Sequence, residues 1–346
     1  MKKILTILLL FTLCNLSAQD EECGVTGTFE LPDNFSVNTN RSLSRIMPIS
    51  VWIAQGDNGV GGIQIQSIYD ELDIVNAHYN GSIQFEICSV GYVQNDDYYN
   101  LKNNGYRWYT ENNNPNTMNI YFVNSLTIGG SSYCGYAYYP SSSVQRILMR
   151  NSCTTNGSTL SHEIGHYMGM YHTHQDSDRS NQELVDGSNC STNGDRFCST
   201  PADPRLSNSN TNTDCEYTGN ATDLNGDAYA PSTTNIMSYS RKSCRTEFTD
   251  EQLQYVESVY DNYHSEYSCQ TLSIPKNDIQ KIKIYPNPFN DKISISVESS
   301  YKLYDLNGRI VKFGIGKEVL TNDINKGIYI LKIVYDDRVL HIKVIK

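Results

Sequence analysis

The chain has 346 residues and a formal net charge of −11. This length exceeds one average domain, so we expect two. The charge is unevenly divided: residues 281–346 hold 12 Lys and Arg against 7 Asp and Glu, whereas the preceding residues hold 15 against 31. The acidic residues before position 281 would repel phosphate groups. We therefore expect no nucleic-acid partner.

Residues 1–18 have the pattern of a signal peptide. Two lysines precede a short apolar run, and Ala18 ends a small-residue cleavage site. The run is too short to cross a bilayer, and no other segment is suited to do so. A lipoprotein anchor at Cys14 is the alternative, but the bulky Leu13 before it disfavours that interpretation. We expect an exported chain with no transmembrane segment.

Periodicity predicts an α+β domain over residues 47–268. Apolar residues recur at helical spacing over residues 63–78, which predicts a helix. Apolar runs predict strands at residues 46–54, 83–88, 118–123 and 145–150. A turn at Asn156-Gly157 then precedes a second helix. A last helix is predicted over residues 249–263, with acids in its first turn.

Residues 162–172, with the sequence HEIGHYMGMYH, carry the strongest chemical signal. His162 and His166 stand four residues apart, so on a helix they share one face and can hold one metal ion. Glu163 is within reach of a water on that metal. Gly169 permits a reversal that returns His172 as a third ligand. Three ligands leave one position open for water, which is typical of catalytic zinc. A buried amphipathic helix, the alternative, would leave Gly169 and His172 unexplained.

The pattern HExxHxxGxxH, followed by Asn235-Ile236-Met237-Ser238-Tyr239, resembles the metzincin clan of zinc metallopeptidases. The resemblance implies a twisted sheet above the cleft, a zinc-binding helix and an irregular lower subdomain. It also implies that Met237 forms an apolar floor beneath the imidazoles. The Tyr239 phenol would help to stabilise the tetrahedral intermediate.

Three shorter features resemble the pappalysin family of that clan. Thr173 follows the third histidine. Residues 194–202, GDRFCSTPA, resemble the family's G-D-x-x-x-D-T-P-A stretch, with Ser199 in place of Asp. Residues 244–249, CRTEFT, resemble its C-x-x-x-F-T. The resemblance covers roughly residues 47–268.

Ten cysteines indicate disulfides in an exported protein. Four of them surround an Asn/Ser/Asp-rich region with little periodicity, which we expect to be pinned by cross-links: Cys190, Cys198, Cys215 and Cys244. Their spacings contain no CxxC, which disfavours a zinc knuckle, and they permit three pairings. The resemblance implies the interleaved pairing, Cys190 with Cys215 and Cys198 with Cys244. Cys134 and Cys153 could join two strands beside the cleft.

The resemblance also implies that residues 19–46, which contain Cys23-Gly24, form a short prosegment. In some pappalysins a Cys-Gly pair occupies the fourth zinc position and blocks water. The resemblance therefore implies latency, with Arg41 or Arg45 as the activating cleavage site. A disulfide from Cys23 to Cys88 or Cys269 is the alternative.

The irregular region is also acidic. The resemblance implies a structural Ca²⁺ there, with Asp195 and the backbone around Thr200 as the best matched ligands. An acidic secreted surface without an ion is the alternative.

Residues 269–280 form a polar linker around Pro275. After it, apolar and polar residues alternate, which predicts a small all-β sandwich over residues 281–346. YPNPF at 285–289, YDLNGR at 304–309 and KVIK at 343–346 resemble the C-terminal sorting domain of the type IX secretion system of Bacteroidetes-type bacteria. The resemblance implies the secretion machinery as a partner and a location outside the cell or at its surface. A carbohydrate- or protein-binding sandwich is the alternative.

These features together predict a secreted zinc endopeptidase that acts on proteins or peptides. Zn²⁺ would be held by His162, His166 and His172, with Glu163 as general base and Tyr239 as oxyanion partner. A catalytically silent adhesin or binding module on a protease scaffold is the alternative. Some relatives prefer Arg on the prime side of the cleaved bond and carry acidic residues where this chain has Ser240-Arg241-Lys242-Ser243. Because this stretch is basic here, we do not expect the same preference.

Overall fold

The computed structural model describes residues 21–26, 29, 45–269, 283–305, 309–335 and 338–346. The chain divides into two compact units, Met1–Thr271 and Leu272–Lys346. The predicted signal peptide and residues 270–280 of the predicted linker lie outside the described residues.

The first unit alternates strands and helices before a long irregular stretch. Its strands are β1 Glu21–Thr26, β2 Ile46–Gln55, β3 Gln84–Gln94, β4 Asn100–Leu101, β5 Met118–Val123, β6 Ser125–Ile128, β7 Ser131–Tyr138 and β8 Ile147–Arg150. Its helices are α1 Ile65–His78, α2 Asp96–Tyr99, α3 Tyr106–Glu111, α4 Asn151–Thr154, α5 Thr159–Tyr167 and α6 Asp250–Val259, with a π-helical turn at Tyr260–His264.

The strands form one mixed sheet in the order β3-β2-β5-β8-β7-β6-β4, and β1 pairs with β7. Strands β3, β2, β5 and β8 run parallel to one another, whereas β7 runs antiparallel to β8. β1 lies parallel to β7, with Cys23 opposite Gly135. The predicted prosegment therefore adds a strand alongside β7.

Apolar burial explains the central elements. All six residues of β5 are buried, because strands on both sides and packed layers on both faces exclude water. The apolar stripe of α1 faces the core through Ile68, Leu72 and Val75. This helix begins at Ile65, two residues later than predicted, after the extended residue Gln64. Strands β6 and β7 were not predicted.

The last helix begins at a full capping box. The Thr249 side chain accepts from the Gln252 backbone N–H, and the Gln252 side chain accepts from the Thr249 backbone N–H. Two backbone N–H groups that have no acceptor within the helix thereby gain a hydrogen bond. α6 ends at Val259 and continues as the π-helical turn, close to the predicted end at residue 263.

Between α5 and α6, residues 168–249 are all described and form only turns and three isolated bridges. Four disulfides cross-link the first unit: Cys88–Cys269, Cys134–Cys153, Cys190–Cys198 and Cys215–Cys244. The predicted Cys134–Cys153 bond is present, but it joins strand β7 to helix α4 and not two strands.

The interleaved pairing of the other four cysteines was wrong. Turns bring the Cα atoms of Cys190 and Cys198 to 5.0 Å, eight residues apart in the chain, so these two bond locally. Cys215 then meets Cys244 at a Cα separation of 5.5 Å. Both separations lie in the range that a disulfide can span.

The second unit is all-β, as predicted. Its strands are β9 Ile284–Tyr285, β10 Lys292–Tyr304, β11 Ile310–Leu320, β12 Ile328–Tyr335 and β13 Arg338–Ile345. They form one antiparallel sheet in the order β11-β10-β12-β13, with β9 on β10. The register shift of β11 against β10 after Ser294 divides β10: its first half pairs with β9 and its second half with β12. The described strands thus form a single curled sheet, where the prediction had two layers. Its core includes Phe289, Leu303 and Leu331.

Candidate metal centre and cleft

Helix α5 carries the first part of the predicted site. All nine of its residues are buried, including His162, Glu163 and His166. The Asn156 side chain accepts from the backbone N–H groups of Ser158 and Thr159, which satisfies donors at the start of the helix. The helix is therefore fixed at its N-terminus and enclosed along its whole length.

A sharp turn after α5 returns the third histidine. Gly169 has a φ of 91°, a conformation that strongly favours glycine. The backbone N–H groups of Gly169 and Met170 donate to the carbonyls of His166 and Gly165. The chain then reverses, and His172 comes to lie against the other two histidines.

The three imidazoles converge through their Nε2 atoms. His166 Nε2 lies 3.1 Å from His162 Nε2 and 3.0 Å from His172 Nε2. The opposite nitrogen of His162 lies 2.7 Å from the Ile236 carbonyl, and that of His166 lies 2.7 Å from the Met170 carbonyl. A carbonyl only accepts, so Nδ1 carries the proton and Nε2 presents a lone pair in both rings.

Burial keeps these rings neutral. It lowers the pKa of His166 to about 4 and the pKa of His162 and His172 well below the ordinary value. The Nε2 lone pairs of neutral rings repel one another at 3 Å unless a cation lies between them. The donor set therefore fits a metal ion, and backbone carbonyls on Nδ1 are the outer partners that orient metal-binding histidines.

The C-terminal part of the irregular region forms the floor of the centre. Met237 is fully buried, and a Cβ at Gly165 would lie 2.4 Å from its sulfur, so only glycine leaves the floor room against α5. The Tyr239 ring lies 4.7 Å from the His172 ring, centroid to centroid. The structure therefore brings Met237 and Tyr239 to the three histidines.

Cys23 of strand β1 reaches the same point. Its sulfur and the three histidine nitrogens all lie within 4.8 Å of one another. The thiol lies 3.6 Å from Glu163 Oε2, and the Tyr239 hydroxyl donates to the Cys23 carbonyl at 3.2 Å. Cys23 therefore forms no bond with Cys88 or Cys269, which bond to each other instead.

Gly135 is a site residue that the sequence did not reveal. A Cβ at this position would lie 2.4–2.5 Å from three atoms of the Glu163 side chain. Strand β7 can therefore pass directly over the carboxylate only because this residue is glycine. Tyr136 and Tyr138, two residues apart, are a weak sequence signal for β7 as a strand.

Two further residues secure the N-terminal segment. Phe29 is buried, stacks near Tyr139, and contacts the edge of Tyr263, and its backbone N–H donates to the Tyr171 hydroxyl at 3.0 Å. Arg45 is buried and bonded to Asp261 and Glu257. Arg45 is therefore poorly placed for an activating cleavage, and Arg41 lies outside the described residues.

A second cluster of carboxylates is buried in the irregular region. Glu183, Asp195 and Asp203 are each at most 5% exposed. Burial raises the pKa of Glu183 to about 8, of Asp195 to about 7 and of Asp203 to about 6, and the two aspartates add to the shift at Glu183. Asp195 accepts from the Thr200 hydroxyl, whereas Glu183 Oε2 is buried with no hydrogen-bond partner among the described residues.

Two family models match the chain. Residues 97–261 match the peptidase family described as Pregnancy-associated plasma protein-A. Residues 283–346 match the secretion system C-terminal sorting domain. These matches confirm both resemblances inferred from the sequence.

Curated relatives are extracellular metalloproteases of fungi. One from Arthroderma benhamiae is 23% identical over 231 residues, which is 60% of this chain and 70% of the relative. One from Colletotrichum graminicola is 26% identical over 248 residues, 65% of this chain and 81% of the relative. A second protein of that species is 30% identical over 164 residues, 43% of this chain and 50% of the relative.

The buried histidine centre and these matches define a secreted zinc metalloendopeptidase. It contains a pappalysin-type peptidase domain and a type IX sorting domain. Among the helices that the structure describes, none is long and apolar enough to cross a membrane.

Proposed function

We propose that His162, His166 and His172 hold the catalytic zinc and that Glu163 is the general base for peptide hydrolysis. The convergence of three Nε2 lone pairs beside the Glu163 carboxylate carries this proposal. Helix α5 carries two buried histidines, the chain reverses at Gly169, and Met237 lies beneath the histidines. These features support a metzincin-type catalytic domain over residues 47–268.

A zinc ion in this site supplies a Lewis acid that acidifies water and polarises the substrate carbonyl. Glu163 accepts the proton of the attacking water and delivers it to the leaving amine. The Tyr239 hydroxyl donates to the oxyanion that develops at the carbonyl. Glu163 is fully buried in α5, so its hydrogen bonds form in surroundings of low dielectric constant.

Glu163→Gln tests the proposal, because it preserves shape and removes the base. We expect kcat to fall about 10³-fold on a peptide substrate while zinc content stays unchanged. His166→Ala is the paired variant and should lose zinc as well as activity. Full activity of Glu163→Gln would contradict the assignment. Zinc binding without cleavage of gelatin by the activated wild type would favour the adhesin alternative.

The prosegment, residues 19–46, is proposed to keep the enzyme latent. Support comes from the Cys23 sulfur at the histidine nitrogens and from its carbonyl on Tyr239, which together occupy the cleft. Cys23→Ala should raise the activity of the unprocessed chain, and Phe29→Ala should do so through a weaker anchor. A Cys23→Ala zymogen as inert as the parent would exclude the switch.

A structural Ca²⁺ is proposed in the irregular region, with Asp195 among its ligands. Three buried carboxylates need a cation or protons, and the unpartnered oxygen of Glu183 supports the cation. The sequence indicated Asp195 and the backbone near Thr200 as ligands, and the buried positions add Glu183 and Asp203. Calcium that leaves the unfolding temperature of the zinc-loaded protein unchanged would contradict this proposal.

Residues 281–346 are proposed to deliver the protease to type IX secretion machinery, with residues 269–280 as linker and residues 1–18 as signal peptide. The sorting-domain match supports this role. Removal of residues 281–346 should leave the protein inside the outer membrane of a type IX host. Export of the truncated chain at the parental rate would contradict it.

A further inference from the structure

A pair of buried amide side chains connects the segment around Met237 to the last helix. Asn235 Nδ2 donates to Gln252 Oε1 at 2.8 Å. Both side chains are almost fully buried, so water does not compete for this hydrogen bond. A hydrogen bond in such surroundings is stronger than one at the surface. The first turn of α6 is therefore coupled directly to the floor of the metal centre.

The oxygen of Gln252 accepts two hydrogen bonds at once. Besides the Asn235 amide, Oε1 accepts from the Thr249 backbone N–H at 2.9 Å, which is one of the two bonds of the capping box. An amide oxygen has two lone pairs, and both are used here. The start of α6 thus fixes where this oxygen points, and the oxygen in turn fixes the Asn235 amide.

The Asn235 side chain holds the peptide unit that joins Ile236 to Met237. Its Oδ1 accepts from the Met237 backbone N–H at 2.9 Å. The carbonyl of the same peptide unit, that of Ile236, lies 2.7 Å from His162 Nδ1. A peptide unit is planar, so its N–H and its carbonyl turn together. A tilt at the N–H therefore moves the acceptor that orients the His162 ring.

The neighbouring backbone bond does not fix this tilt. The Ile236 N–H donates to the Glu247 carbonyl at 2.9 Å. That N–H belongs to the preceding peptide unit, and the two units can rotate relative to one another about the bonds of the Ile236 Cα. The orientation of the carbonyl that faces His162 thus depends on the amide side chain of Asn235.

We propose that Gln252 is a positioning residue for the metal ligand His162 and acts on it through Asn235 and the Ile236 carbonyl. The inference rests on the proposed zinc site. The ring of a histidine that binds a metal through Nε2 is oriented by the partner of its Nδ1. Here that partner is a backbone carbonyl, and two amide side chains hold it in place. Loss of the Gln252 oxygen leaves the Asn235 amide free to turn, so His162 points less accurately at the metal.

Gln252→Met tests the inference, because it keeps the length of the side chain and removes the oxygen. We expect the zinc Kd of the full chain, measured by competition with a chelator, to rise about tenfold. The visible absorption of the cobalt-substituted protein should also change, because that spectrum depends on the geometry of the ligands. Gln252→Ala removes the same oxygen and serves if Gln252→Met does not fold. Gln252→Glu restores an acceptor oxygen and should bring the zinc Kd back towards the parental value.

Thr249→Ala is the matched control, because it weakens the capping box and leaves the Gln252 side chain in place. The Thr249 hydroxyl oxygen accepts from the Gln252 backbone N–H at 3.2 Å. Loss of such a cap destabilises a helix. The unfolding temperature should therefore fall, while the zinc Kd and the cobalt spectrum stay parental.

The route through Asn235 is tested by combining two variants. Asn235→Ala alone should weaken zinc binding at least as much as Gln252→Met does. Because Gln252 acts through Asn235, the double variant should bind zinc no more weakly than Asn235→Ala alone. Effects of residues that act as one network are non-additive in this way.

A parental zinc Kd in Gln252→Met, or in Gln252→Ala where that variant replaces it, would overturn the inference. Equal weakening in Thr249→Ala would overturn it too, because helix stability would then explain the effect. Full additivity in the double variant would exclude the route through Asn235. If His162→Ala instead bound zinc with the parental Kd, the proposed zinc site itself would fail, so the two failures are distinguishable.

Discussion

The sheet-and-helix half of the peptidase unit, residues 45–167, and the irregular half, residues 168–249, are stabilised differently. In the first, apolar side chains from β2, β5, β8 and α1 pack together within one continuous core. In the second, buried positions are often polar, including Asp195, Asn235 and Arg245. Burial of apolar area is non-directional, whereas polar groups need specific partners.

The backbone shows the same contrast. Among the described residues, five non-glycine residues have positive φ, and four of them lie in the irregular half: Asp176, Arg196, Arg205 and Cys215. Such backbone conformations cost conformational free energy, and they persist only where surrounding contacts hold them in place. Side-chain bonds to the backbone supply part of that constraint, as when Asp223 accepts from the N–H groups of Val185, Asn225 and Asp227. The irregular half therefore depends on cross-links and polar bonds.

Removal of a cross-link should have the largest effect on this contrast. Cys215→Ser with Cys244→Ser opens a bond that spans 29 residues of the irregular half. We expect a loss of about 3 kcal/mol in the free energy of unfolding, measured in urea, because the unfolded chain gains freedom. Non-reducing peptide mapping of the parent provides the control and should yield the Cys190–Cys198 and Cys215–Cys244 peptides. Interleaved peptides would contradict the structure.

Unlike the loss of the disulfide, Gly135→Ala should affect activity more than stability. The new Cβ would lie within 2.5 Å of the Glu163 side chain, so the carboxylate must move. A displacement of about 1 Å costs about 10²-fold in kcat. Ala137→Gly, in the same strand, is the matched control and should lower the unfolding temperature with a smaller effect on kcat. Parental activity in Gly135→Ala would show that the base is not held there.

The sequence predicted the site better than the irregular half around it. The helix, glycine turn and three histidines follow from local spacing, and the structure brings them together with Met237 and Tyr239. Gly135 was missed because its role depends on a long-range approach of β7 to α5. The carbonyls of Ile236 and Met170 left no signal, because every residue has a carbonyl. The disulfide pairing was wrong because turns, which lack periodicity, decide which cysteines meet.

The carboxylates of the irregular half should make stability depend on pH. The pKa of Glu183 rises from its ordinary 4.5 to about 8 in the folded chain, so the folded state binds more protons than the unfolded state between these values. The contribution of Glu183 to stability is then fully present below pH 4.5 and is lost as pH rises through about 8. Asp195 and Asp203 add the same sign over lower windows, up to about 7 and about 6.

Calcium should oppose this loss at neutral and higher pH. If Ca²⁺ binds the ionised cluster, it should raise the free energy of unfolding by about 2 kcal/mol when its free concentration is about thirty times its Kd. Glu183→Gln is the informative variant, because it removes most of the pH slope and weakens the calcium effect. A pH profile of stability that is the same in Glu183→Gln and in the parent without calcium would contradict the burial argument.

The smallest effect should come from the contact that joins the start of the sheet to the end of the last helix. Arg45, just before β2, donates twice to Asp261 at 2.9 Å and pairs with Glu257 at 3.2 Å. Arg45→Lys keeps the charge but loses the two-pronged geometry, so we expect a loss of about 1 kcal/mol in unfolding free energy. Arg107→Lys, at an exposed pair with Glu111, should change the unfolding free energy less than Arg45→Lys does. Trypsin must first free the buried guanidinium of Arg45 before it can cut the Arg45–Ile46 bond. Limited digestion should therefore spare this bond in the parent and cut it faster in Asp261→Asn. Equal rates would show that this ion pair does not protect the junction between prosegment and sheet.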